Sequence, residues 1–307
     1  MIKKYSNMIP IIVSHILLAV LTVLILLPSR KETESCTAFL CAAALMEGYY
    51  LYRLIRFPQK RASASDIVSI LWVLLIIWET LVTKLNLCHP VLIPAPENVF
   101  YAFYTDYEEM AFGVLSSLKI LLLGVTFGLT AGTLLGLICG WQKRLKEVFF
   151  PIASVLAPIP SVVFAPYVIA LMPTFRSASI VVILLGIFWP AFLKTIISVE
   201  SIDRNIIDSA RTLELGNFSM IFEILLPYSV PGIIKGLKVT MTTAVMMLTF
   251  AEMMGSTVGM GYYIVNYNTY GNYTKVVAGI IVVGFVVTIL GAAVTWLQKK
   301  TIKWQNY

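Results

Sequence analysis

The sequence predicts an all-α polytopic membrane protein of about eight transmembrane helices, with both termini in the cytoplasm. Three observations predict it. The chain is 59% hydrophobic and only 13% charged, with mean hydropathy +0.86; a soluble domain carries about a quarter charged residues. Several apolar runs reach the roughly 20 residues that a bilayer core requires, and none shows the short alternating segments of a β-barrel. The basic residues also sort by side.

In order, the apolar segments fall at about 8–27, 37–55, 67–85, 113–140, 148–171, 177–197, 235–254 and 276–297. With the N-terminus inside, the cytoplasmic connections hold Lys3, Lys4, Arg53, Arg56, Lys60, Arg61, Lys143, Arg144, Lys146, Arg204, Arg211, Lys235, Lys299, Lys300 and Lys303. The outer ones hold Arg30, Lys31, Lys84, Arg176 and Lys275. Such a bias orients a membrane protein. It places the 198–234 connection in the cytoplasm and leaves an acidic outer loop at 86–112, with Glu97, Asp106, Glu108 and Glu109. The net charge of +7 is therefore no nucleic-acid signal. The first segment follows Lys3-Lys4 but leads into Pro28-Ser29-Arg30 with no small-x-small cleavage pattern, so it reads as an uncleaved span. Cys36, Cys41, Cys88 and Cys139 lack metal-ligand spacing and read as small apolar residues.

The fifth segment carries Pro151, Pro158, Pro160 and Pro166. Each proline removes a donor and clashes with the preceding turn, so no single straight helix accommodates all four. In lipid such a break is tolerated inside protein or beside a cavity. Pro158, Pro160 and Ser161 thus mark either a bent helix beside a translocation path or a kink that serves packing.

The 198–234 connection reads as two short helices. Ile202, Ile206, Ala210 and Leu213 recur near helical spacing as one apolar stripe, with Asp208, Arg211 and Glu214 largely off it. Gly216-Asn217 is a stop signal, and Phe218 to Leu226 runs into Pro227. One face would lie on the protein's own membrane domain and the charged face outward, as in a docking element or a solvated linker. No GxxxxGK[ST] phosphate loop occurs, and neither GxSxG nor HExxH does; Gly232-Ile233-Ile234-Lys235-Gly236 has the wrong order. His15 and His89 lie apart. Enzymatic chemistry within the chain is not supported.

From about Ser65 to Trp304 the chain resembles permease subunits of type I ABC importers, in the nitrate/sulfonate/taurine branch that also serves vitamin-related pyrimidines. The landmarks are Val91-Leu92-Ile93-Pro94-Ala95-Pro96-Glu97-Asn98-Val99, then Ser116-Ser117-Leu118-Lys119 with Gly124, Gly128, Gly132 and Gly136. The proline-rich stretch, a cytoplasmic "EAA" loop, and Ala251-Glu252-Met253-Met254-Gly255 with Gly259-Met260-Gly261-Tyr262 follow in order. The resemblance implies a 65–307 permease core with its coupling loop at 198–234, preceded by two additional spans in 1–64 that lie outside it. It implies a multi-pass protein of a bacterial cytoplasmic membrane, embedded in lipid and paired with a second copy. It implies an ATP-binding subunit dimer gripped through the loop, an extracytoplasmic solute-binding protein, alternating access, and no nucleic acid. ATP and Mg would be held by the ATPase, with no cofactor in this chain.

Asp208, Ser209 and Ala210 occupy the "EAA" positions and Arg211 follows. The family's glycine falls on Glu214, and Gly216 is expected to supply the turn instead. The glycine-rich turn after the proline segment is also missing; Leu171-Met172-Pro173-Thr174-Phe175 stands there.

Charges inside spans are costly and point to function by default. Glu252 reads as lining or gating the path, or as pairing with a neighbouring span. Glu79 and Lys119 are expected to pair. Lys194 and Lys238 are expected to snorkel, and Glu47 suggests no role. Tyr262, Tyr263, Tyr267 and Tyr270 read as an outer aromatic belt or a substrate cage. A proton-coupled secondary transporter using Glu79 or Glu252 is the alternative reading. The substrate would be a sulfonate- or nitrate-type anion or a vitamin-related heteroaromatic. The scarcity of central cations and the presence of Glu252 tilt the expectation toward a neutral or cationic heteroaromatic.

Overall fold

A computed structural model describes residues 8–301; Lys3, Lys4, Lys303 and Trp304 lie outside them. Every regular element among these residues is helical. In chain order the helices are α1 (Met8–Leu26), α2 (Thr37–Arg56), α3 (Pro58–Lys84), α4 (Pro96–Thr105), α5 (Tyr107–Trp141), α6 (Lys143–Leu156), α7 (Ser161–Leu171), α8 (Phe175–Glu200), α9 (Arg204–Thr212), α10 (Asn217–Met253), α11 (Met260–Thr269) and α12 (Tyr273–Thr301). Seven are long and apolar enough to cross a membrane: α1, α2, α3, α5, α8, α10 and α12. The pair α6–α7, bent by 83°, makes an eighth if it counts as one span.

The chain divides into two compact units. One runs to Met110 and takes in Ile264–Ile281; the other holds Ala111–Tyr263 and resumes at Val282. In the first, α1 and α2 share a core with α3 and α4: Leu21, Ile25, Phe39, Ala43, Trp72, Leu75 and Phe100 are buried together, and the rings of Phe39 and Phe100 stack at 4.7 Å. A polar chain crosses the same helices, from Ser14 Oγ to Tyr50 Oη at 3.0 Å and on to Ser65 Oγ at 2.7 Å. The two N-terminal helices and the segment from α3 to Met110 thus fall in one compact unit.

The end of α3 is a π-turn, Glu79–Lys84. Glu79 takes Lys84 as its ion-pair partner at 3.1 Å, which corrects the expected pairing with Lys119. Thr83 Oγ1 donates to Glu97 Oε2 at 3.1 Å across to α4. Burial pushes the Glu97 carboxyl up to about 7, and the neighbouring Glu79 adds to the rise against hydrogen bonds that lower it. The tyrosines do not act as one group, since Tyr263 is buried while Tyr270 is exposed.

In the second unit a glycine seam joins α5 to α8. Gly124, Gly128, Gly132, Gly136 and Gly140 recur every fourth residue on one face of α5. A Cβ on Gly132 would stand 2.7 Å from the Phe188 carbonyl oxygen, and one on Gly128 2.9 Å from that of Leu184. Only glycine lets the two backbones come this close, as in small-residue helix contacts within membranes. Beside the seam, Ile120, Leu121, Val125, Ile183, Ile187, Ala244, Val245 and Leu248 form the buried core of α5, α8 and α10.

Candidate functional site

The polar stretch between α8 and α10 folds as an elbow around α9. Asp203 caps α9, its Oδ1 accepting from the Asn205 N–H at 2.9 Å. Ile202 and Ala210 are buried among Leu137, Val199, Met220 and Leu225, with Ile207 and Leu215 packed against them. The buried stripe is thus Ile202, Ile207 and Ala210. Ile206 and Leu213, expected on it, are exposed, Leu213 at 73%. One helical step is about 100°, so a stripe anchored on Ile207 turns Ile206 away from the core.

The outward face carries Asp208, Ser209 and Arg211, all exposed. Ser209 Oγ donates to the Asn205 carbonyl at 2.7 Å. Asp208 and Arg211 stand 3.9 Å apart, a solvated pair of little stabilising worth. The Arg211 guanidinium lies 6.0 Å from the centre of the Trp141 ring, whose Nε1–H donates to Asn217 Oδ1 at 3.0 Å. Arg211 is thereby set against the end of α5 as well as beside Asp208.

The turn after α9 falls on Glu214, whose φ is +52°. This is the left-handed conformation that a helix C-terminus usually assigns to glycine. For a residue with a Cβ it costs about 1–2 kcal/mol. Gly216, expected to supply the turn, has φ −66° and ψ 162° and merely precedes α10. The missing glycine is therefore not compensated two residues on.

The second short helix expected in the loop is also different. Asn217 to Leu225 is the first part of the 37-residue α10, which runs on through Pro227 and Pro231. Pro227 does not stop it because a π-turn at Met220–Leu225 widens the helix immediately before the ring. Phe218 and Phe222 sit on this extension with ring centres 4.5 Å apart, Phe218 being 74% exposed. Leu213, just after α9, and Phe218 and Phe222 at the start of α10 are thus exposed apolar side chains of the same elbow that carries Asp208 and Arg211.

The proline-rich span breaks where expected, between Leu156 and Ser161. Pro158 and Pro160 are exposed in the bend. Ser161 is buried, and its Oγ meets Met247 Sδ of α10 at 3.2 Å. Gly186 of α8 makes room for both, since a Cβ there would overlap them. The bend is thus keyed into α8 and α10 through Ser161, while the two prolines are left outside that contact.

Glu252, near the end of α10, is only 1% exposed. Its Oε1 accepts from Ser117 Oγ at 2.6 Å and its Oε2 from the Gly261 N–H at 2.8 Å. Ser117 Oγ in turn accepts from the Met260 N–H at 3.1 Å. Gly259, with φ +123°, passes directly against the carboxyl group and leaves no space for a Cβ. The carboxyl group is a buckle that ties the 254–259 turn to α5.

The chain thus combines apolar spans, one of them broken, with an elbow whose polar and apolar groups face outward. The chain belongs to the family of binding-protein-dependent transport system inner membrane components, matched over residues 132–303. It is 28% identical over 236 residues to SsuC of Bacillus subtilis (strain 168), a permease named for aliphatic sulfonates transport, covering 76% of this chain and 85% of that one. The nitrate import permease protein NrtB of Leptolyngbya laminosa is 27% identical, with 82% and 92% covered. The taurine transport system permease protein TauC of Escherichia coli (strain K12) is 24% identical, with 82% and 93% covered. Among solved structures, an inward-facing MetNI methionine ABC transporter shares the fold, with TM-score 0.55 at 18% identity over 63% of this chain and 96% of that one. A bacterial ABC transporter that imports the acidic polysaccharide alginate does so with TM-score 0.56 at 17% identity, over 84% and 98%.

Proposed function

We propose that this chain is the permease subunit of an ATP-driven importer in a bacterial cytoplasmic membrane. Two copies pair around a central path, an extracytoplasmic binding protein delivers the solute, and the 201–218 elbow docks on a separate ATPase subunit on the cytoplasmic side. The observation that carries this reading is the outward face of the elbow. Leu213 and Phe218 are exposed beside Asp208 and Arg211, on a chain that has no phosphate-binding loop of its own. An apolar rim next to charges is the composition of a partner-docking surface.

The substrate class is a small solute carrying an oxyanion group, a sulfonate, a nitrate or the zwitterionic sulfonate taurine, as named in the relatives. The Glu252 buckle weakens the argument for a neutral or cationic solute, because a carboxyl group enclosed by Ser117 and Gly261 is not offered to a path. The same enclosure, with the pairing of Glu79 to Lys84, weakens the reading of a proton-coupled carrier built on Glu79 or Glu252. The test is photo-crosslinking through an introduced thiol. With the four native cysteines replaced, a cysteine at Leu213 labelled with a benzophenone maleimide should crosslink to the added ATPase subunit, whereas one placed at exposed Ile67 of α3 should not. Equal capture at both positions, or at neither, would remove the docking assignment.

A further inference from the structure

Lys194 is a cation of the second unit to which the fold gives no carboxylate partner among the described residues. Lys194 lies on α8 six residues before its end at Glu200, about 9 Å inside at 1.5 Å per residue. Its ammonium group donates to the Gly232 carbonyl at 2.8 Å. Among the described residues no carboxylate lies within ion-pair distance of it. A snorkelling lysine would turn its charge toward the near interface. This one instead crosses to α10, where its Nζ lies 2.7 Å from the place a Cβ would take at Gly236.

Lys194 opens on a cavity of about 150 Å³ that α8 and α10 line with Gly186, Pro190, Gly236, Thr240 and Thr243. Gly186 lies fourteen residues from the end of α8, about 21 Å in, so the cavity extends toward the middle of a bilayer. Its volume is below the roughly 300–1,000 Å³ of drug-sized sites, which restricts the occupant to a small solute. The Thr240 and Thr243 hydroxyls donate to the carbonyls of Gly236 and Val239 in their own helix. Lys194 is therefore the single charged donor among the lining residues, with two of its three N–H bonds uncommitted. Lys194 is exposed, and a cation that faces a cavity between two spans without a carboxylate partner points to function rather than to packing.

We propose that Lys194 and this cavity form a binding station for a small oxyanion, a sulfonate or a nitrate, on the cytoplasmic half of the translocation path. The station rests on the importer reading above and adds the group that would recognise the solute. Taking up the anion supplies Lys194 with the counter-charge it lacks, and the surrounding apolar wall strengthens that attraction.

The test uses the full permease reconstituted in proteoliposomes with its ATPase and binding protein, and with nitrate, methanesulfonate and taurine as probes. Lys194→Gln should lower the maximal uptake rate by about tenfold or more, in line with losing a hydrogen bond to a charged group. Binding-protein-stimulated ATP hydrolysis and the thermal midpoint should stay at wild-type levels, and Lys194→Arg should restore most of the uptake. In a second measurement that needs no partner, methanesulfonate should slow acetylation of Lys194 in the detergent-solubilised chain but leave Lys238 unaffected. Uptake by Lys194→Gln equal to wild type, or acetylation of Lys194 indifferent to methanesulfonate, would overturn the station while leaving the importer reading intact. Absence of wild-type uptake for nitrate, methanesulfonate and taurine alike would overturn the oxyanion class first, and the station with it.

Discussion

Two polar regions of the second unit are built on opposite terms. At Glu252 both carboxyl oxygens are occupied, Ser117 is shared between Glu252 and Met260, and Gly259 closes over the group. At the α9 elbow Asp208, Ser209 and Arg211 face away from the protein, and Leu213 and Phe218 are exposed beside them. The first region spends its polar groups on its own fold. The second keeps its polar groups at the surface, with only solvated or local partners. A charged residue in or near a span is therefore not evidence of function until its partners are counted.

Breaking the closed region should cost the most. Glu252→Ala leaves the Ser117 hydroxyl and the Gly261 N–H without their acceptor, and each such buried loss costs about 1–3 kcal/mol. A fall of about 2–5 kcal/mol in unfolding stability in detergent is expected; a change of a few tenths would show that the buckle holds nothing.

Glu97 sharpens the contrast, because it is a buried carboxyl group whose partners only partly offset its burial. Its ionisation in the folded protein is raised from 4.5 to about 7. Below pH 4.5 both folded and unfolded chains hold the proton, and the carboxyl group costs no stability. Between 4.5 and about 7 the unfolded chain releases it first, so stability falls as pH rises, and then levels off above about 7. Glu97→Gln should flatten this slope in thermal-shift curves between those limits. An unchanged slope would place the titration on another group.

The smallest effect is expected on the open side. Glu214→Gly relieves the left-handed backbone but frees the unfolded chain, for a net gain of about 0.5–1 kcal/mol. A loss of stability in differential scanning fluorimetry would mean that the Glu214 side chain makes a contact worth more than the strain.

Much of this was legible in the sequence because length and apolarity alone decide whether a helix can span a bilayer. The break between Leu156 and Ser161 was legible because proline lacks the donor that a helix needs. The peculiarity of Glu214 was visible only through the family's glycine, and the φ of +52° gives its physical reason. Gly216 misled because glycine permits a left-handed turn without requiring one. Pro227 misled for a related reason: a proline stops an ideal α-helix, but the π-turn before it absorbs the clash. The stripe on α9 was misphased because Ile206 and Ile207 are adjacent isoleucines, and periodicity over nine residues does not choose between them. The Glu252 buckle had no local signal, since Ser117 lies 135 residues away in the chain.

The central claim is the proposal that the exposed face of the elbow couples this permease to an ATPase and contributes little to the fold. The direct measurement is solute imported per ATP hydrolysed, in proteoliposomes holding the complete importer, for wild type, Asp208→Lys and Arg211→Glu. The account predicts that both variants keep the wild-type unfolding midpoint, because the two side chains are exposed. It predicts that the import ratio collapses in both. Wild-type ratios in the two variants, or a loss of transport that merely follows a loss of folded protein, would contradict it.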